Sequence, residues 1–203
     1  MRPTKLLYLS VIGLILSLGL ATACAQDHAA QEPAASAEAN PLEASLLQAI
    51  SDYDEAVAQG NAEQLVKFGM SPKVLAHLAA EEGHPAGAES HETYIEGTRA
   101  AMIAAIDGVL KAADEFEYQY DLENPSFQTA DTGLQYVRLP TVTNIQLPNI
   151  AVTSTGETIA VLDDGQWYFL NPQDAETIEW MKAAYPELQD LQIEPNNMET
   201  APR

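Results

Sequence analysis

Residues 158–170 of this 203-residue chain read TIAVLDDGQWYFL, and no other stretch restricts the fold so tightly. Asp164-Gly165 lies between two apolar runs, and it suits a two-residue hairpin turn because both positions of such a turn need positive φ. A turn there sets the register. Leu162 faces Trp167, Val161 faces Tyr168, Ala160 faces Phe169 and Ile159 faces Leu170. Successive side chains of a strand point to opposite faces, so this hairpin is apolar on both. Helices on one side and water on the other would leave half of that apolar set wet. Its second face must meet another protomer, a ligand cavity or a helix that follows in the chain.

Ahead of the hairpin the chain divides in two. The first half is helical. Asn40-Pro41-Leu42-Glu43 offers a capping residue, a proline at the first helical position and a glutamate that can reach back. Leu42, Leu46, Ala49, Ile50, Tyr53 and Val57 then recur at helical spacing until Gly60, which predicts a helix over residues 41–59. Asn61 opens a short second helix carrying Leu65, Val66 and Phe68. Ser71-Pro72 opens a third with Val74, Leu75 and Leu78. Residues 81–90 (EEGHPAGAES) read as loop. A long fourth helix over residues 91–113 carries Ile95, Met102, Ile103, Ile106, Leu110 and Ala113, with Asp107 and Lys111 as a solvated i,i+4 pair.

From Phe116 the period changes from that of a helix to that of a strand. Phe116, Tyr118, Tyr120 and Leu122 alternate with polar residues. Asn124-Pro125-Ser126 reads as a turn. A second strand covers residues 134–139 and ends at Pro140, and further strand covers residues 142–147 and 150–154, interrupted by Pro148. After the hairpin, Asn171-Pro172 reads as the start of a last helix with Ile178, Trp180 and Met181, ended by Tyr185-Pro186.

The fold class is therefore α+β: N-terminal helices, then a curved antiparallel meander, then an added C-terminal helix. Three helices, a long fourth, and a meander closing on Gly165-Gln166-Trp167-Tyr168-Phe169 resemble the NTF2-like (SnoaL/ketosteroid-isomerase-type) superfamily. The break at Gly60-Asn61-Ala62-Glu63-Gln64-Leu65 is similar to the entry of that family. The resemblance implies a cone-shaped sheet wrapped around helices and an apolar pocket, with a homodimer through the outer sheet face. It covers most of residues 42–170 and implies no particular activity, because such folds host enzymes, binders and inert partners alike.

The opening residues give an address. Residues 1–25 (MRPTKLLYLSVIGLILSLGLATACA) hold two basic residues, a charge-free apolar run and small residues, the layout of an export signal. Cys24, the only cysteine of the chain, falls in the cleavage zone. Ala21-Thr22-Ala23-Cys24 resembles the bacterial lipoprotein signal, which implies acylation of Cys24 and a lipid anchor in the membrane. Plain signal cleavage and an uncleaved membrane anchor are the competing routes. Ala25 follows the cysteine where enterobacterial sorting would use aspartate to retain a lipoprotein, so the resemblance implies the outer membrane, facing the periplasm. The expected organisation is a signal peptide over residues 1–23, a disordered tether over 24–40, one α+β domain over 41–190 and a disordered tail over 191–203.

Composition excludes more than it assigns. Loss of the signal leaves seven basic side chains against thirty acidic ones, a net charge of −23. With no basic face to neutralise phosphates, nucleic acid is not an expected partner. Beyond Cys24 the domain has no thiol chemistry. His77, His84 and His91 recur at intervals of seven among glutamates, but Gly83 and Pro85 break any shared helical face, and a solvated loop is the better reading than a metal site. Nucleotide-binding and seryl-hydrolase motifs are missing. A proton-transfer enzyme would need a carboxylate and tyrosines converging in a dry pocket. Tyr53, Tyr94, Tyr118, Tyr136 and Asp107 are the conceivable members, and none is assigned as catalytic. The expected function is a non-enzymatic, envelope-anchored domain that binds a small apolar ligand or a partner envelope protein, without cofactor. The alternative is a small pocket enzyme, an isomerase or hydrolase.

Overall fold

The structure is a computed structural model that describes residues 40–122 and 125–203. The expected signal, Cys24, nearly all of the tether, and Asn124 lie outside the described residues. Among the described residues four helices come first: α1 (Pro41–Ala58), α2 (Ala62–Gly69), α3 (Pro72–Glu81) and α4 (Ser90–Ala112). Local chemistry explains the first three starts. The side chains of Asn40, Asn61 and Ser71 accept the backbone N–H groups of Leu42, Gln64 and Val74, relieving donors that have no partner within the helix.

Six antiparallel strands follow: β1 (Glu115–Tyr120), β2 (Ser126–Thr129), β3 (Gln135–Leu147), β4 (Ile150–Asp163), β5 (Gln166–Leu170) and, after helix α5 (Ala175–Ala184), β6 (Asn197–Pro202). The long strands β3 and β4 pair along their whole length, from Gln135↔Leu162 to Leu147↔Ile150. Each then takes two short partners on its other edge. β3 pairs β1 over Thr141–Gln146 and β2 over Gln135–Arg138. β4 pairs β6 over residues 150–155 and β5 over residues 159–163. The result is α+β, with a sheet curled into a half-barrel.

The hairpin forms as its residues dictate. Asp164 and Gly165 have φ of 48° and 77°, and all four apolar cross-strand pairs fall in the expected register. Ala160, Trp167 and Phe169 enter the larger core with α1, α2 and α4. Ile159, Val161, Tyr168 and Leu170 enter a second core with Val74 of α3, Met181 of α5 and, just beyond it, Tyr185 and Leu188. The helix after the hairpin is thus what covers its second face.

Four expectations need correction. Pro140 does not end its strand. Its carbonyl accepts the Asp121 N–H at 3.0 Å, so the donor it lacks faces the seam where β1 stops and β2 has yet to begin, and no ladder bond is lost there. Pro148 does not interrupt a strand but sits in the turn between β3 and β4. The last helix starts at Ala175 with Asp174 as its cap, because buried Asn171 is engaged elsewhere. The tail over residues 191–203 is not disordered. The edge of β4 at residues 150–155 offers unpaired backbone groups, and β6 satisfies them with a ladder that needs no apolar side chain.

On the β4 side the corresponding seam is closed by side chains. Asn196 accepts the Glu157 N–H at 2.9 Å and donates to Asn171 Oδ1 at 2.6 Å. Gly156 makes room for this, since a Cβ there would collide with the Asn196 side chain. Gly156→Ala should therefore evict Asn196 and cost about 1–2 kcal/mol, the scale of one or two lost hydrogen bonds. Hydrogen exchange should show residues 197–202 opening faster while β5 amides keep their protection.

Candidate functional site

The inner face of the half-barrel carries an unusual polar stripe. Strand register places Tyr118 opposite Thr143, Tyr120 opposite Thr141, Thr143 opposite Ser154, and Leu139 opposite Thr158. Tyr118, Thr141, Thr143, Ser154 and Thr158 are all buried. Apolar neighbours surround them: Val137, Leu139 and Ile145 on β3, Val152 and Ala160 on β4. Burying hydroxyls requires partners. Tyr118 Oη lies 3.1 Å from Thr158 Oγ1. The Tyr120 hydroxyl is equally buried and finds no partner of good geometry among the described residues.

Helix α1 closes over this stripe. Tyr53 packs its ring against Phe68 and Phe169 at centroid distances of 5.7 and 5.3 Å. Phe169 in turn meets Tyr120 at 6.2 Å, and Tyr120 meets Tyr118 edge-on at 4.1 Å. Five aromatic rings thus run from the helices to β1 without a break. Asp54, next to Tyr53, is half-buried at the margin of this cluster. Loss of solvent pushes its carboxyl up to about 6. Burial likewise raises the Tyr118 and Tyr120 hydroxyls, with the Asp54 charge adding to both effects. The group can therefore switch one carboxyl between neutral and charged near pH 6, while its phenols remain hydrogen-bond donors.

Of the residues the sequence suggested, the structure brings Tyr53 and Tyr118 together and separates the rest. Tyr94 stacks on His84 at 4.8 Å near the start of α4. Tyr136 belongs to the second core, donating to Gln128 Oε1. Asp107 pairs with Lys111 at 2.7 Å on an exposed helix flank. The histidines have local roles. His77 lies 3.5 Å from Glu81, His84 bonds Ser90 Oγ at 2.7 Å, and buried His91 bonds the His84 carbonyl at 2.6 Å. No group of three or more His, Cys, Asp or Glu among the described residues is arranged to hold a metal ion. Sequence reasoning missed Asp54, Tyr120 and the threonines. The signal was present in Thr141, Thr143 and Thr158, polar residues at inward positions of otherwise apolar strands.

Open space touches this group only at Tyr120 and Thr141. A partly open pocket of about 50 Å³ sits where the two cores meet, lined by Met70, Met102, Trp180 and Met181 among others. A cleft of about 330 Å³ follows the seam at Tyr120, Pro140, Thr141 and Gly156. A groove of about 630 Å³ lies where α1 and α4 end against β1. No helix among the described residues is long and apolar enough to cross a membrane.

The two tyrosines should respond oppositely to loss of the hydroxyl. Tyr118→Phe strands Thr158 and should cost about 1–2 kcal/mol, whereas Tyr120→Phe removes a buried hydroxyl that lacks a well-formed hydrogen bond and should be neutral or stabilising, both read by denaturant titration. Asp54 is held above its unfolded value, so its folded form favours the proton. Its contribution is present below about pH 4 and lost as pH rises through 6. Asp54→Asn should flatten that pH dependence and gain about 1 kcal/mol at pH 7, a figure reduced for partial exposure.

No protein-family model, no curated protein and no solved structure matches this chain, so its fold rests on its own topology: α+β, with helices filling a curled antiparallel half-barrel.

Proposed function

We propose that this chain is an envelope-anchored lipoprotein whose domain binds a partner protein on its outside rather than transforming a substrate within. The observation that carries the reading is the distribution of space. Small-molecule sites generally occupy about 300–1,000 Å³ and enclose their ligand. Here the pocket between the two cores holds only about 50 Å³, while spaces of ligand size are more open clefts on the surface. The pocket-enzyme reading has one observation in its favour, the Asp54 carboxyl beside Tyr118 and Tyr120. The rings of Tyr53, Phe68 and Phe169 pack against one another in that interior, which favours binding over chemistry.

The order of four helices and a curled meander supports an NTF2-like cone, and the outer sheet face supports a second copy as one partner. Alternation along the strands puts Gln119, Val142, Thr155 and Asn197 in one outward row and Glu117, Asn144, Thr153 and Glu199 in the next. Such a surface carries charge only at its margins, on Glu117 of β1 and Glu199 of β6. The lipid anchor is carried by Cys24 in its signal context.

Two measurements on the protein in its own cells test this. Mass spectrometry of the mature N-terminus should find an acylated Cys24, and an unmodified N-terminus would refute the anchor. A photo-crosslinking residue at Val142 on the outer face, or at Gln59 beside the groove, should give an adduct of discrete mass. Monomer alone at both positions would defeat the binding reading.

A further inference from the structure

The groove where α1 and α4 end carries a specific chemistry. Its walls are apolar, from Val57 of α1, Leu110 of α4, Ala113 and Phe116 of β1. Its rim is acidic: Asp114 stands at the groove itself, and Glu115 and Glu117 lie along the same free edge of β1 on the face opposite Phe116, with Glu115 accepting from Gln146 Nε2, and no lysine or arginine lines it. Two helices also present their carboxyl ends to it, α1 at Ala58 and α4 at Ala112. Aligned peptide dipoles make such ends partially negative, and α1 has no basic residue in its last turn to offset this. Lys111 of α4 is held by Asp107 instead. Carboxylates and helix ends therefore act in the same sense, beside a wall that favours apolar side chains.

One cation already reaches the rim. Arg203, just past β6, donates from Nη1 to Asp114 Oδ2 at 2.7 Å and to the Leu147 carbonyl at 3.0 Å. The pair is half in solvent, with the Asp114 side chain 56 % exposed. A guanidinium thus docks at Asp114 while the apolar wall beside it stays open.

We infer that this groove binds a cationic, amphipathic peptide segment of a partner protein, its apolar side chains against Leu110 and Phe116 and its basic ones on Asp114, Glu115 and Glu117. Arg203 then occupies one of the cationic positions from within the chain and competes with the partner. The inference rests on the binding function proposed above and names the partner's chemistry. The strong acidity of the whole chain steers any cation toward it, so specificity lies in the apolar wall and in the placement of these three carboxylates.

The test uses the full chain and a labelled twelve-residue peptide of alternating arginine and leucine, with fluorescence anisotropy as readout. Neutralising the rim (D114N, E115Q and E117Q together) should weaken binding at least tenfold. Neutralising three exposed carboxylates elsewhere (E92Q, E96Q and E179Q) should weaken it less than threefold. Gln59→Arg, an exposed change that puts a fixed cation in the groove, should weaken binding, and Arg203→Ala should tighten it by freeing Asp114. A peptide with serine in place of leucine should bind at least tenfold more weakly. Equal losses from the rim and remote variants, or equal binding of the serine peptide, would overturn the inference by showing general charge attraction. Failure here alongside a cellular adduct at Gln59 or Val142 would leave the binding function standing and remove only the groove's assigned chemistry.

Discussion

Burial of one hairpin on both faces is the constraint from which the remaining architecture follows. β4 and β5 place Ala160, Trp167 and Phe169 on one side and Ile159, Val161, Tyr168 and Leu170 on the other. Each large apolar side chain removed from water contributes about 1.5–3 kcal/mol, so leaving either side wet would forfeit much of the domain's net stability. Helices are accordingly needed above and below. α1, α2 and α4 fill the concave side, while α3, α5 and the turn at Pro186–Leu188 seal the convex one. The hairpin is the partition between two cores.

That partition accounts for which parts of the fold could be read from residues alone. The turn at Asp164-Gly165 and the register it sets are local, and local steric rules determine both. Helix starts at Asn40, Asn61 and Ser71 were equally legible because a cap and its N–H partner lie two or three residues apart. What covered the hairpin's second face was not legible. Its apolar pattern demanded a partner without specifying one, and three candidates satisfied it. Pro140 misled because proline's cost depends on which neighbour faces its missing donor, and the neighbour here is a seam between two other strands. β6 misled for a related reason. Every side chain it carries is exposed, so it has no apolar periodicity, and its order comes from the backbone of β4.

The interior site was half legible. Tyr53 and Tyr118 could be suspected from type and spacing, but their meeting depends on α1 crossing the sheet, which no local pattern encodes. Asp54 was invisible for the same reason. Beside a buried tyrosine on an amphipathic helix it looks like any flanking carboxylate, and only the packed helix reveals that it has lost much of its water. Function divides likewise. An address can be written in a dozen contiguous residues, whereas a binding surface is assembled from segments that meet only after folding, as at the groove shared by α1, α4 and β1.

The meander also bears on how the chain reaches this structure. β3 meets β4 across a two-residue turn, β4 meets β5 across another, and β1 and β2 lie immediately upstream of β3. These ladders join segments close in sequence, so little loop entropy opposes them, and the sheet can grow outward from the turn at Pro148-Asn149. β6 alone returns from far along the chain, joining Ile150 to Pro202. The arrival of the helices on the two faces of that sheet, by contrast, is driven by apolar collapse rather than by strand pairing.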